Sequence, residues 1–196
     1  CEPLHIQLNG LTRNVEVVNY HAGERNGLTA KVSVLDMNGK VLDGFEGTLN
    51  LPEDSTAVVT ALPVPEDVTP VYYVKLQLSD ASGTPLSTNF YVQGKEEGNL
   101  RALNRLGKAS VKAAFSGNGP WKVTLTNNGD VPALMLRLKL VSGPSKEMVL
   151  PVIYSDNYFS LMPGESREID IAAAPEDLRG KAGLEVTGFN LNPKTL

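Results

Sequence analysis

Apolar residues recur at every second position along most of this chain, the spacing of strands with one buried and one wet face. Val15 and Val17 flank Glu16, and Ala30, Val32 and Val34 alternate with Lys31 and Ser33. Asn38-Gly39 then separates two such runs. Between alternating segments this dipeptide predicts a two-residue hairpin turn with positive φ at both positions. The return strand is expected over Val41 to Leu51, with Phe45, Leu49 and Leu51 on one side, and Pro52-Glu53-Asp54-Ser55 ends it. Ala57, Val59 and Ala61 form the next run, closed by Pro63 and Pro65. Tyr72, Val74, Leu76 and Leu78 alternate with Tyr73, Lys75, Gln77 and Ser79. A turn over Asp80 to Pro85 and a strand over Ser87 to Val92 complete the series. About seven short strands with turn signals roughly every 8–12 residues predict an immunoglobulin-like sandwich.

The character changes over Gln93 to Gly107, QGKEEGNLRALNRLG. Leu100, Leu103 and Leu106 recur every third residue, which allows a helical turn, but the flanking glycines favour a linker that packs its leucines on a neighbour. Beyond it the strand pattern resumes. Val111 to Phe115 leads to the turn Gly117-Asn118-Gly119-Pro120, and Trp121, Val123 and Leu125 alternate with Lys122, Thr124 and Thr126. After Asn127-Asn128-Gly129-Asp130, Leu134, Leu136, Leu138 and Leu140 alternate with Met135, Arg137 and Lys139, the cleanest β pattern in the chain. The stretch LPVIYSDNYFSLMPGESREIDI, residues 150–171, reads as strand, polar corner, turn, strand. Pro175-Glu176-Asp177-Leu178 is a short turn, and Leu184, Val186 and Gly188 alternate beyond it. No segment of about ten residues or more carries helical periodicity, and strands do not alternate with helices, so neither a β/α barrel nor a dinucleotide-binding fold is encoded. The expected architecture is all-β, two tandem immunoglobulin-like β-sandwich domains over residues 1–95 and 108–196, with a linker over 96–107.

Composition adds exclusions. Eighteen basic residues against 22 acidic give a net charge of −4, and no Lys/Arg run offers a phosphate-binding footprint, so nucleic acid is not an expected partner. No run of about 18 apolar residues exists to span a membrane as a helix. The single cysteine, Cys1, excludes an internal disulfide but does not fix the compartment. The abrupt opening Cys-Glu-Pro suggests a piece of a longer polypeptide.

Candidate chemistry is sparse. His5 and His21 lie in no metal-ligand spacing, and Cys1 belongs to no Cys-x-x-Cys. Asp36-Met37-Asn38-Gly39 starts like a calcium loop, but Lys40-Val41 stands where an oxygen ligand and a glycine are needed. The carboxylate pairs Glu96/Glu97, Glu165/Glu168 and Glu176/Asp177 could in principle flank a glycosidic bond, yet all fall in turns or polar strand faces where charge stays solvated. Asp156, Asn157 and Tyr158 are the most unusual trio. One reading is an Asx-type corner capped by packed aromatics. The other is a sugar contact, with Tyr158 or Phe159 as stacking platform and Asp156 and Asn157 bonding hydroxyls.

Residues 150–171 followed by GLEVTGFN, residues 183–190, resemble the last immunoglobulin-like domain of family 2 glycoside hydrolases, in the exo-β-D-glucosaminidase and β-mannosidase-like subgroup. WKVTLTNNGDVPALMLRLKLV, residues 121–141, is similar to the same domain, and EGNLRALNRL, residues 97–106, to the connector leading into it. CEPLHIQLN, residues 1–9, resembles the segment just after the catalytic barrel, and residues 11–92 resemble the preceding sandwich by pattern more than by motif. The resemblance implies a C-terminal portion of a larger, periplasmic or extracellular enzyme acting on β-linked terminal sugars. Its catalytic glutamates would lie in a barrel that this chain does not contain. It implies no catalytic residue, metal or cofactor here. The expected partner is the remainder of the parent enzyme, with an oligosaccharide as a further candidate at Asp156, Asn157 and Tyr158. The competing class is a free-standing carbohydrate-binding or adhesion module.

Overall fold

A computed structural model describes residues 2–196, so Cys1 lies outside the described residues. The chain divides into two compact units, the first ending at Asn104 and the second running Arg105–Leu196. Both are built of antiparallel strands.

In the first unit, β1 (Leu4–Leu8), β2 (Asn14–Asn19) and β5 (Ser55–Ala61) form one sheet. β3 (Arg25–Leu35), β4 (Val41–Leu51), β6 (Val71–Ser79) and β7 (Pro85–Gly94) form the other, in the order β4-β3-β6-β7. The alternating residues meet between the sheets: Ile6, Val15, Val17, Ala30, Val32, Val34, Val74, Leu76 and Leu78 are all at most 1% exposed. Each such aliphatic side chain contributes roughly 1.5–3 kcal/mol when buried.

Two hairpins share one device. Asp36 Oδ1 accepts from the backbone N–H of Asn38 and Lys40, and Asp80 Oδ1 accepts from those of Ser82 and Thr84. In both, the glycine three residues on, Gly39 or Gly83, donates to the aspartate's carbonyl and takes positive φ, 88° and 86°. The expected two-residue turn at Asn38-Gly39 is therefore corrected. Asn38 does not take positive φ; the aspartate side chain organises a wider loop in which one glycine absorbs the reversal. The Ser82 hydroxyl, followed by the Thr84 N–H, holds the Asp80 carboxyl below the usual carboxylate range.

Strand β4 matches its expected bounds but not its expected burial. Leu51 is buried and Leu49 packs on the core, whereas Val41, Leu42 and Phe45 are exposed. The Phe45 ring folds over Gly47, where a Cβ would come within 2.7 Å of it. Tyr73, expected on a wet face, is fully buried. It stacks on Phe90 with ring centroids 5.4 Å apart and donates its hydroxyl to the Met37 carbonyl. Burial, reinforced by Asp36, pushes its phenol up to about 12.

At the boundary of the two units along the chain, Arg101–Arg105 forms a 3-10 helical turn in which Leu103 is buried, and Leu100 just before it is exposed. In the second unit, β8 (Val111–Gly117), β9 (Trp121–Asn127), β12 (Ile153–Tyr154) and β14 (Ser166–Ala172) make one sheet, ordered β12-β14-β9-β8. The other is centred on β10 (Ala133–Ser142). β15 (Ala182–Thr187) lies on one edge of it, followed by β16 (Lys194–Thr195). On the opposite edge, β13 (Phe159–Leu161) pairs with the first half of β10 and β11 (Glu147–Met148) with its end. The even-numbered leucines of β10 are buried as the alternation predicts.

Three asparagines, Asn19, Asn127 and Asn190, are at most 3% exposed, and each spends its amide on the backbone. Asn127 Nδ2 donates to Val131 O and Leu161 O while Oδ1 accepts from the Gly129 N–H. Asn190 Nδ2 ties Gly107 O to Pro132 O, and its Oδ1 accepts from the Leu134 N–H. Asn19 joins Gly23 O, Pro52 O and the His21 N–H in the same way. Asn127→Asp replaces two donors by a charge facing two carbonyls and is expected to destabilise the second unit by about 3 kcal/mol or more. Urea unfolding followed by the fluorescence of Trp121, the sole tryptophan, measures this. Tyr73 gives a pH prediction. The unfolded phenol ionises near 10 and the folded one near 12. The folded state thus holds the proton more tightly. The Tyr73 contribution to the stability of the first unit stays level below pH 10 and falls by about 2–3 kcal/mol as pH rises to 12. In Tyr73→Phe that fall, measured by urea titrations across the window, is expected to vanish.

Candidate functional site

The polar corner Ser155-Asp156-Asn157-Tyr158 interrupts residues 150–171. The run before it was expected to be a strand; only Ile153 and Tyr154 form one, with Leu150 and Ile153 exposed at 64% and 74%. Phe159 and Leu161, on β13, are buried, and Pro163-Gly164 turns the chain with Gly164 at φ 81°.

The corner closes an open edge. β13 reaches β10 as far as Leu136, and β11 rejoins it only at Val141. Asn157 fills part of the gap as a strand residue would: Oδ1 accepts from the Leu138 N–H at 2.9 Å, and Nδ2 donates to the Leu138 carbonyl at 3.1 Å. The Tyr154 hydroxyl accepts from the Leu140 N–H at 2.8 Å, and the Val149 N–H donates to Leu140 O. Burial raises the Tyr154 phenol, and the bond from Leu140 partly offsets this. Ser155 extends the β12–β14 ladder through both its N–H and its hydroxyl to Asp170.

The trio singled out from the sequence thus divides. Asp156 accepts from the Asn157 N–H and pairs with Arg167, whose guanidinium lies 4.9 Å from the centroid of the Phe159 ring. Asn157 is committed to Leu138 and to the Tyr158 N–H. Tyr158 is turned out, 68% exposed at φ 61°, with the Arg137 guanidinium 6.0 Å from its ring centroid. The aromatics that pack the corner are Tyr154 and Phe159, whereas Tyr158 faces out. No sequence signal marks Arg167 or Arg137 as neighbours of the corner, because the link is made across strands.

Of the carboxylates considered for catalysis, Glu96, Glu165 and Glu168 have partners of their own. Glu165 caps the Met162 N–H. Glu168 pairs with Lys122 at 2.5 Å, as Asp170 does at 3.4 Å. Glu176 and Asp177 lie in a short 3-10 turn beside a polar cavity of about 310 Å³ that also holds Glu147, itself paired with the exposed Arg179. A cavity of about 580 Å³ is lined by Phe115, Trp121, Leu178 and Lys181 and carries no Asp or Glu. One of about 760 Å³ in the first unit has Glu97 alone. Glycoside hydrolysis needs two carboxyl groups facing across a bond, roughly 5–10 Å apart. None of these cavities supplies such a pair in a water-poor setting. Among the described residues no three His, Cys, Asp or Glu side chains converge as a metal would require, and no helix is long and apolar enough to cross a membrane.

A model of the exo-β-D-glucosaminidase Ig-fold domain matches residues 89–191, just over half of the chain. The chain belongs to this Ig-fold family. The residues quoted for the resemblance in 121–141 and 150–171 lie inside the match, which bears out that reading. The exo-β-D-glucosaminidase of Streptomyces avermitilis is 30% identical over 100% of this chain and 25% of that protein. The mannosylglycoprotein endo-β-mannosidase of Lilium longiflorum is 28% identical over 88% of this chain and 25% of that protein. The exo-chitosanase CsxA of Amycolatopsis orientalis, solved with PNP-β-D-glucosamine, matches with a TM-score of 0.88 at 28% identity. That match covers 100% of this chain and 26% of that one. The Ig-fold chain described here therefore spans about a quarter of the length of these relatives.

The corner predicts opposite effects for adjacent residues. Asn157→Ala strands the Leu138 N–H and C=O and is expected to cost the second unit about 1–3 kcal/mol. Tyr158→Gly removes a left-handed side chain that packs on nothing inside and is expected to be neutral or to stabilise by up to about 1 kcal/mol. Urea unfolding read from Trp121 distinguishes them; equal losses would refute the division of roles.

Proposed function

We propose that this chain is the non-catalytic immunoglobulin-like part of a longer glycoside hydrolase that acts on β-linked terminal sugars of the glucosaminide or mannoside type. Its role is to brace the catalytic domain. The observation that carries this reading is the match of the entire chain to about a quarter of exo-β-D-glucosaminidases. The side chains agree with it. Polar groups at the most conspicuous corner are spent on completing a sheet edge, and of the candidate carboxylates Glu168 is paired with Lys122 and Glu165 accepts from the Met162 N–H. A fold so occupied holds a shape and offers no acid/base pair. The full-length protein is expected to hydrolyse an aryl β-glucosaminide or β-mannoside, and the 196-residue chain neither. Turnover by the isolated chain that disappears in Glu165→Gln or Glu168→Gln overturns the proposal.

A further inference from the structure

We propose that the outer face of the β13–β10–β15 layer, centred on Met135, Tyr158 and Phe189, is where the remainder of the parent polypeptide seats on the second unit. This rests on the reading that the chain is part of a longer enzyme, and it adds which surface does the bracing.

Three observations converge on it. First, the register sets these residues side by side. Leu136 pairs with Phe159, Arg137 pairs with Thr187, and the Phe189 N–H donates to the Leu134 carbonyl. Their exposures are 52%, 68% and 46%. Contiguous exposed apolar side chains mark contact surfaces, whereas scattered ones need no explanation. Second, Met135 and Tyr158 hold positive φ, 52° and 61°. Glycine or asparagine would relieve the backbone and remove apolar surface from water, so neither residue is chosen for the isolated fold. Third, the rim is polar: Arg137 lies over the Tyr158 ring, and Lys139 pairs with Glu185 at 2.9 Å. An apolar centre within a polar rim is the anatomy of a protein–protein interface.

The occupant follows from length and charge. The matched relatives are about four times longer than this chain, so a tethered parent presents itself at high effective concentration. An amino sugar would bring an ammonium group to a ring already faced by Arg137, and the Asn157 amide beside it is engaged.

Hydroxyl-radical labelling of the full-length protein, read by mass spectrometry, tests the surface with matched standards in the same molecule. Tyr20 is 65% exposed and Met148 50%. Tyr158 and Met135 are expected to be modified at least about fivefold more slowly than these, as residues at the centre of an interface are. Equal rates overturn the proposal. So does protection that disappears on dilution, which assigns the face to a second copy, or protection that needs added chito-oligosaccharide, which assigns it to a sugar. An active glycosidase with equal labelling loses this surface alone; a protected but inactive full-length protein loses the functional reading alone.

Discussion

A strand at the rim of a sheet carries N–H and C=O groups that something must answer, and in both units side chains answer them. In the first, the outer edge of β1 is met by residues of the facing sheet: Ser87 accepts from the Ile6 N–H, Asn89 donates to the Ile6 carbonyl, and Tyr91 accepts from the Leu8 N–H. In the second, Asn157 and Tyr154 do the same for β10. An amide suits this task because it offers a donor and an acceptor together, as a peptide group does. The buried asparagines at strand ends extend the principle. Two small sandwiches without a disulfide are closed by hydrogen bonds that no backbone ladder supplies.

That constraint explains how far the sequence could be read. Period-two alternation located nearly every long strand, because Leu134 to Leu140 or Tyr72 to Leu78 can serve only one fold. It failed where burial depends on a partner outside the strand. Tyr73 sits in a position that should be wet and is buried by Phe90 and the Met37 segment. Leu150 and Ile153 sit in a run that should be a strand, and they are exposed because side chains, not backbone, complete the β10 edge there. The repeated Asp-x-x-Gly loops at Asp36 and Asp80 were present in the sequence, but the Asn-Gly dipeptide within the first drew attention to the wrong turn.

The candidate site was legible as unusual but not in its division of labour. Asp, Asn and Tyr in succession can build a corner or a ligand contact, since both need polar groups beside a ring. The choice is made by neighbours distant in sequence: Leu138, whose backbone claims Asn157, and Arg167, which claims Asp156. Once those two are engaged, only Tyr158 has a surface left to offer.

The carboxylates of the chain are likewise spent at its surface. Hydrolysis of a glycosidic bond depends on carboxyl groups whose environments push their proton affinities apart, and such environments are desolvated. Glu168 and Asp170 share an exposed lysine, and Glu147 faces an exposed arginine. Water screens these pairs, so they contribute little and leave no charge poised for chemistry. What the molecule invests in is side-chain hydrogen bonds at its strand edges, which fix the outline of the sheets. Residues held at positive φ with apolar side chains in water are the places where the isolated fold is not at its own optimum. In a chain whose buried polar groups are otherwise answered, Met135 and Tyr158 are the residues on which the proposed contact surface rests.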